Sequence, residues 1–153
     1  MYQIKQTIRI KGSLEEVWDF FSSPKNLKKI SPPYMGFNII TGGEEKMYPG
    51  QIITYRLKAV AGIPLNWITE ITHVERMKFF VDEQRFGPYS MWHHEHHFKE
   101  TEGGVEMTDI VSYVLPLGLL GNFAHAIFVN ARLKEIFDYR SKVMGQYFEV
   151  LGS

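Results

Sequence analysis

The chain has 153 residues, which predicts a single domain spanning residues 1–153 with one sizeable core. Its 17 basic side chains balance 17 acidic ones, so the composition lacks the positive surplus that favours binding to nucleic acid or to an anionic membrane. The absence of cysteine excludes disulfide bonds, and the absence of a signal-peptide pattern and of any apolar run of roughly twenty residues predicts a cytoplasmic protein without a membrane span.

The first third of the sequence predicts one strand followed by two short helices. Residues 2–10 alternate between apolar and polar side chains, which is typical of a strand. Ser13 followed by Glu16 is a capping-box pattern that opens a helix with an apolar face, formed by Leu14, Val17, Trp18 and Phe21. Pro24 can begin a second helix, which the prolines at 32 and 33 end.

Residues 36–115 show the pattern of strands joined by tight turns. The strands are predicted at residues 37–41, 51–60, 63–74, 78–86, 89–99 and 105–115. Glycine and proline mark the connections, for example at 42–43, 49–50 and 87–88. Because these connections are short and contain no helix, we expect an antiparallel, up-and-down sheet.

The C-terminal part of the chain predicts one long amphipathic helix at residues 120–150. Its apolar residues recur at steps of three and four positions. A curved antiparallel sheet of about seven strands wrapped around this helix would bury both apolar surfaces. The predicted fold class is therefore α+β, with the two short helices following the first strand.

The most informative segment is the strand at residues 92–98, because four of the six histidines fall within it. Alternate side chains of a strand point to opposite faces. One face therefore carries Trp92, His94, His96 and Phe98, which suits an interior or a pocket wall. The opposite face carries His93, Glu95 and His97, which suits solvent.

Pairing with the next strand brings further polar residues to the same face. If Thr101 pairs with Gly104 around a two-residue turn, His96 lies opposite Asp109 and Trp92 lies opposite Tyr113. A three-residue turn would reverse the faces. For the preceding strand, the length of the turn at 87–88 decides whether Glu83, or Asp82 together with Gln84, joins this face.

Several motifs resemble a known superfamily: Ile63-Pro64-Leu65-Asn66-Trp67, Phe80-Val81-Asp82-Glu83-Gln84, Gly87-Pro88-Tyr89, Trp92-x-His94-x-His96-x-Phe98, Asp109-x-Val111-x-Tyr113-x-x-Pro116-x-Gly118 and Ile136-Phe137-x-Tyr139-Arg140. They are similar to the START-related, birch-pollen-allergen-like (Bet v 1-like, SRPBCC) superfamily, also called polyketide cyclase/dehydrase-like, and most of all to its small bacterial ligand-binding-type proteins. The resemblance spans nearly the whole chain. It implies a helix-grip fold and favours Asp82 and Gln84 over Glu83.

The leading functional prediction is a protein that binds or carries a small hydrophobic molecule, such as a lipid, a polyketide or an aromatic metabolite. Its cavity would lie between sheet and helix and have a polar floor of His, Asp and Tyr. Arg140 could reach into this cavity from the helix, although a surface position fits its polar neighbours as well. Segments 59–64 and 117–118 are candidates for a gate. The predicted ligand-binding residues are Trp67, Phe80, Asp82, Gln84, Trp92, His94, His96, Phe98, Asp109, Tyr113, Phe123, Ile127 and Arg140.

Other functions and a purely structural role stay open. An enzyme of the cyclase, dehydratase or isomerase kind could move a proton with a His-Asp pair, and its candidate catalytic residues are His94, His96, Asp109 and Tyr113. A co-chaperone-like interaction module would instead expose a large apolar patch. Alternatively, Asp109 could accept from His96 and Tyr113 could bond His94, which would satisfy the polar groups without a ligand.

No metal and no cofactor are predicted. His-x-His on one strand face can place two imidazoles on one ion, with Asp109 as a third ligand, as in cupin-type barrels. The additional Glu and distant His of those barrels are not evidently placed, and a long C-terminal helix does not fit them. The predicted partner is a small hydrophobic ligand, and both a monomer and a homodimer are compatible with the sequence.

Overall fold

The computed structural model describes residues 1–44, 46–58, 62–116 and 118–152, with side chains from residue 127 onward in the last range. Eight strands, three α-helices and a 3-10 turn (Pro33–Met35) lie in these ranges. In chain order they are β1 (Tyr2–Lys11), α1 (Leu14–Phe21), α2 (Pro24–Leu27), β2 (Asn38–Thr41), β3 (Gln51–Lys58), β4 (Pro64–Glu75), β5 (Phe79–Phe86), β6 (Met91–Thr101), β7 (Gly104–Val114), α3 (Gly118–Met144) and β8 (Glu149–Gly152).

The eight strands form one curved antiparallel sheet in the order β2-β3-β4-β5-β6-β7-β1-β8. Strands β2 to β7 are a meander in which each strand pairs with the next. β1 then lies beside β7, with Tyr2 opposite Tyr113 and Ile10 opposite Val105. The α+β class and the early short helices are confirmed, and the sheet has one strand more than the predicted seven or so.

The additional strand corrects the predicted extent of the C-terminal helix. The sequence predicts a helix to residue 150, whereas α3 ends at Met144 and β8 follows. Phe148 and Val150 are half-buried against the core, while Glu149 and Leu151 are exposed. This alternation has the period of a strand, and β8 pairs with the outer edge of β1.

Helix α1 closes the sheet at one end, and its first turn explains where it begins. The Ser13 hydroxyl accepts from the backbone N–H of Glu16 at 3.2 Å, and the Glu16 carboxylate accepts from the backbone N–H of Ser13 at 3.1 Å. This capping box satisfies two N–H groups that would otherwise lack partners. The buried face of α1 places Trp18 edge-on against Phe80 at 6.0 Å and Phe98 at 5.3 Å.

We expect Ser13→Ala to lower the free energy of unfolding by about 1 kcal/mol, because it removes this cap. Urea denaturation followed by circular dichroism measures the change. Ser23→Ala is the matched control, since Ser23 is the N-cap of α2 but makes no side-chain capping bond. The control should change the free energy by less than about 0.5 kcal/mol. An equal loss in both variants would contradict a stabilising capping box.

The long helix α3 packs against the concave face of the sheet. Val129, Leu133 and Phe137, spaced four residues apart, contact Val111 and Tyr113 of β7. None of the helices within the described ranges combines the length and the apolar character that crossing a membrane requires. Between α3, the short helices and strands β3 to β6, the sheet leaves an internal space, which is the candidate site.

Candidate functional site

A cavity of about 170 Å³ lies between the concave face of the sheet and α3. Most of its wall is apolar or aromatic, including Phe21, Phe37, Tyr55, Trp67, Phe80 and Trp92. Its charged lining groups are Asp82, His94, His96, Arg132 and Arg140. An apolar wall with a few converging polar groups is typical of a small-molecule site.

Three neighbouring strands and α3 supply the polar floor. Asp82 of β5 pairs with His94 of β6, and His96 of β6 pairs with Asp109 of β7. Thr101 lies opposite Gly104, so the β6–β7 register is the one that the two-residue turn predicts. Arg140 reaches the same point from α3. Strand alternation therefore brings the four strand side chains to one side of the sheet, where Arg140 of α3 meets them.

The centroids of the two histidine rings are 3.8 Å apart, with the ring planes tilted by 38°, and each ring approaches both carboxylates. His96 Nε2 is 3.0 Å from Asp82 Oδ2, and His94 Nε2 is 3.2 Å from Asp109 Oδ1. His96 Nδ1 lies 2.7 Å from Asp109 Oδ1, but at an angle unsuited to a hydrogen bond, so it has no bonded partner among the described residues.

Arg140 completes the floor from the helix side. Its Nη1 donates to Asp109 Oδ2 at 3.1 Å, while its Nε has no hydrogen-bond partner in the described part of the chain. The guanidinium group lies 5.4 Å from the ring of Phe21. Arg140 is 7% exposed, so this cation is almost completely removed from water. Asp109 is its buried counter-charge.

Burial and mutual charges shift the pKa values of all four titrating groups around Arg140. Burial alone would raise the pKa of Asp109, but the charges of Arg140 and His96 and the hydrogen bond from His94 hold it well below its usual range. Burial would also raise the pKa of Asp82, yet the bond to His96 and the nearby cations lower it. Burial and His96 lower the pKa of His94, whereas the two carboxylates overcome burial and raise the pKa of His96. The floor therefore favours one charged imidazole, on His96.

The structure places the predicted site residues in three groups. Seven of them line the cavity: Trp67, Phe80, Asp82, Trp92, His94, His96 and Arg140. Asp109 lies behind the histidines and bonds both His94 and Arg140. Gln84, Phe98, Tyr113 and Ile127 lie away from the cavity wall. Phe123 is outside the residues whose side chains are described, as are positions 59–61 and 117 of the predicted gate segments.

Gln84 is not at the site because the adjoining turn uses its side chain. Its amide donates to the Tyr89 carbonyl at 2.7 Å and accepts from the Tyr89 N–H at 3.2 Å. The β5–β6 pairing ends at Glu83 and His93, whose side chains lie 2.7 Å apart on the opposite face. Of the two open alternatives, the structure therefore has Asp82 on the cavity face and Glu83 outside.

Phe98, Tyr113 and Ile127 also lie away from the cavity wall, because each packs or points elsewhere. Phe98 packs with Trp18 and Phe21 under α1, and Ile127 is 64% exposed on the outer side of α3. Tyr113 shares the face of Asp109 but packs against Tyr2, Trp92 and α3 instead. It makes no hydrogen bond to His94 in the described structure, and burial followed by the charge of Tyr2 raises its pKa.

Part of the cavity wall consists of residues that the sequence did not predict. Tyr55 and Leu57 of β3 and Leu133 and Phe137 of α3 all contribute to it. The two β3 residues could have been identified from the sequence by strand alternation, because Gln51, Ile53, Tyr55 and Leu57 share the buried face of β3. Burial and, to a smaller extent, the charge of Asp82 raise the pKa of the Tyr55 hydroxyl.

A curved antiparallel sheet that grips a long helix around an apolar cavity defines the helix-grip class of proteins. No family model matches the sequence, and no curated protein matches it either. The fold is nevertheless shared with many solved structures.

Three of these structures illustrate the likeness. TTHA0849 from Thermus thermophilus superposes with a TM-score of 0.67 at 16% identity, covering 95% of each chain. Ara h 8.0201 gives 0.60 at 11% identity, covering 94% of this chain and 98% of its own. DynU16, from the dynemicin biosynthetic locus, gives 0.60 at 13% identity, covering 95% of this chain and 48% of its own. The chain thus has the Bet v 1-like helix-grip fold, and its predicted place in the ligand-binding-type subgroup stays a prediction.

Proposed function

We propose that the protein binds a small, mostly apolar molecule in the cavity and that the polar end of this molecule docks on the floor at Asp82, His94 and His96. Lipids, polyketides and aromatic metabolites are the ligand classes of this kind. The observation that carries the proposal is a cavity with an aromatic wall whose lining includes the carboxylate of Asp82 and Arg140, whose buried guanidinium Nε has no bonded partner among the described residues. Buried polar groups of this kind cost free energy unless something satisfies them.

The size of the cavity limits how much of a ligand it can enclose. A cavity of about 150 Å³ accommodates a benzene molecule. A volume of 170 Å³ therefore encloses roughly one aromatic ring or a short alkyl segment. A larger ligand would extend toward solvent past Phe128 and Arg132, two lining residues that are partly exposed. Affinity would come mainly from the buried apolar area.

The charges of the floor favour a neutral polar end. With His96 charged and His94 neutral, the two positive charges of His96 and Arg140 balance the two negative charges of Asp82 and Asp109. A carboxylate on the ligand would add an uncompensated negative charge beside Asp82. A hydroxyl or phenol can donate to Asp82 and accept from the Nε of Arg140 or from an imidazole, so it fits better.

A calorimetric comparison of three probes tests this proposal. We expect 2-naphthol to bind at least about tenfold more tightly than naphthalene or 2-naphthoate, because only the phenol adds a neutral hydrogen-bonding group to the same ring system. Leu133→Trp, which fills the cavity from α3, should weaken 2-naphthol binding by roughly tenfold or more.

Ile127→Trp is the matched control, because Ile127 is on the same helix but outside the cavity wall. It should leave the affinity unchanged. Equal affinities for the three probes would contradict a role of the floor. Unchanged binding in Leu133→Trp would contradict binding in this cavity.

An acid-base enzyme is the second candidate function. It is favoured by the contact of His94 Nε2 with Asp109 at 3.2 Å on the wall of an apolar cavity, an arrangement in which a carboxylate orients an imidazole. The protein as isolated from cells should be studied by native mass spectrometry. A co-purified molecule that the protein releases unchanged would support binding, and one converted on further incubation would support catalysis.

A further inference from the structure

Three potential metal-ligand atoms meet on the cavity side of the floor. Asp82, His94 and His96 each offer one ligand atom, and these atoms lie within 4.8 Å of one another. Asp82 Oδ2 is 3.0 Å from His96 Nε2 and 3.5 Å from His94 Nδ1. Around a tetrahedral zinc ion with bonds of about 2.0–2.1 Å, neighbouring ligand atoms are roughly 3.3 Å apart. The observed separations are therefore close to those that an ion would require.

The remaining nitrogens of both rings face a second carboxylate. His94 Nε2 and His96 Nδ1 lie 3.2 Å and 2.7 Å from Asp109 Oδ1. Metal-binding histidines commonly donate their second N–H to a carboxylate, which fixes the tautomer and the orientation of the ring. Asp109 is in this position for both rings at once, and Arg140 holds its other oxygen.

The unsatisfied nitrogen of His96 is an independent sign that the floor is incomplete. His96 is 4% exposed, and its Nδ1 makes no hydrogen bond within the described part of the protein. When Nε2 binds a cation, Nδ1 must carry the proton. A small rotation of the ring would then let Nδ1 donate to Asp109, which already lies within reach. A cation bound on the cavity side would thus allow His96 Nδ1 to form a hydrogen bond with Asp109.

The charges of the cluster are also suited to a cation. The Asp109–Arg140 pair is neutral, and both imidazoles must be neutral to bind a metal ion, so Asp82 is the uncompensated charge in the ligating state. A divalent ion with one bound hydroxide would neutralise Asp82 completely. Buried charges are rarely left unpaired, and metal coordination is one of the ways in which proteins compensate them.

We infer that Asp82, His94 and His96 form a binding site for one divalent transition-metal ion of the zinc type, with a further coordination position open to the cavity. Two imidazoles and one carboxylate suit Zn²⁺ and related ions better than Mg²⁺ or Ca²⁺, which prefer oxygen ligands. Asp109 and Arg140 are positioning residues. The open position would accept water or an oxygen of the ligand. Metal binding itself does not depend on the proposed apolar ligand.

This site differs from the alternative metal site that the sequence suggests, which consists of the two histidines and Asp109. There the third ligand was Asp109, whereas in the structure Arg140 occupies one oxygen of Asp109 and the histidines approach the other. Asp82 takes the role of third ligand because it is on the neighbouring strand, directly opposite His94. Only the length of the β5–β6 turn decides this, and it is not readable from residue types.

Titration of the chelator-treated full chain with Co²⁺ tests the site, with Zn²⁺ added as competitor. We expect one equivalent of Co²⁺ to give the visible absorption of a four- or five-coordinate ion with nitrogen ligands, and one equivalent of Zn²⁺ to remove it. Zn²⁺ should also raise the melting temperature in proportion to the logarithm of its concentration above the dissociation constant.

Asp82→Asn and His96→Gln should each weaken binding by roughly 100-fold or more, because each removes a direct ligand. The double variant His93→Gln/His97→Gln should bind as the unmodified chain does, because it removes histidines of the same strand from the opposite face. Circular dichroism verifies that each variant is folded. If His96→Gln does not fold, Asp82→Asn decides, since the Asp82 side chain is 18% exposed and, within the described part of the chain, has only the histidines as partners.

Three results would overturn the inference. The first is saturation below one tenth of an equivalent at micromolar Co²⁺, and the second is binding that Asp82→Asn leaves intact. Loss of binding in His93→Gln/His97→Gln alone would also overturn it, because the ion would then be on the outer surface. Binding of 2-naphthol to the metal-free chain is measured in parallel, so that failure of the metal site and failure of the ligand proposal give different results.

Discussion

Arg140→Met is expected to lower the free energy of unfolding by about 3–5 kcal/mol, because it leaves the buried carboxylate of Asp109 without its cation. Asp109 is 5% exposed and bonds Arg140 at 3.1 Å, so water has little access to compensate the carboxylate once the guanidinium group is removed. Methionine keeps much of the side-chain volume, so the loss reports charge rather than packing. Urea denaturation at neutral pH measures it.

Arg132→Met is the matched control for this charge effect. Arg132 is on the same helix and pairs with Glu135 at 2.8 Å, but both side chains are substantially exposed. Surface ion pairs of this kind contribute about 0–1 kcal/mol, so the control should lose less than about 1 kcal/mol. Similar small losses in both variants would mean that the two histidines alone compensate Asp109.

Phe98→Ala is expected to lower the free energy of unfolding by about 3–5 kcal/mol while leaving 2-naphthol affinity almost unchanged. The sequence predicts Phe98 as a ligand-binding residue, but its ring packs against Trp18 at 5.3 Å, Phe21 at 5.8 Å and Phe80 at 6.0 Å. Removing it creates a hole between α1 and the sheet, on the far side of the cavity wall.

Denaturation and calorimetry on the same preparation separate these two effects. Phe86→Ala is the control, because Phe86 is 63% exposed at the end of β5 and should lose less than about 1 kcal/mol. A Phe98→Ala protein that is as stable as the unmodified chain would contradict the packing role. A stable fold with a large loss of affinity would place Phe98 at the ligand.

The β6–β7 hairpin shows what the sequence can predict. Strict alternation over residues 92–98 and a short polar turn are compatible with two registers of the hairpin. The structure has the register in which a two-residue turn joins Thr101 and Gly104. The capping box at Ser13 was equally readable, because it depends only on residue types at fixed spacing. In both cases the geometry depends only on residues that are close to one another in the sequence.

Properties that depend on distant contacts were not readable in the same way. Gln84 is on the same face of β5 as Asp82 by alternation, yet its side chain bonds the backbone of the following turn. Tyr113 is on the same face of β7 as Asp109, but it lies further along the strand and packs against α3. The face of α3 that carries Ile127 was judged from apolar character alone, although the sheet contacts Val129 and Leu133 instead. Residues 148–151 fit a helix or a strand by composition, and only the free edge of β1 decides between them.

The position of β1 between β7 and β8 has a consequence for how the chain acquires its structure. Its neighbours on either side come from residues 105–113 and 149–152, so the first strand has the longest sequence separations of the sheet. During synthesis, β1 leaves the ribosome long before either neighbour exists, while the β2–β7 meander can form hairpin by hairpin. Closure of the sheet is therefore a late step with a high entropic cost, and folding should be slow for a domain of this size. Until then, β1 and the edge of β7 are unpaired strands that a chaperone or a second copy of the chain can reach.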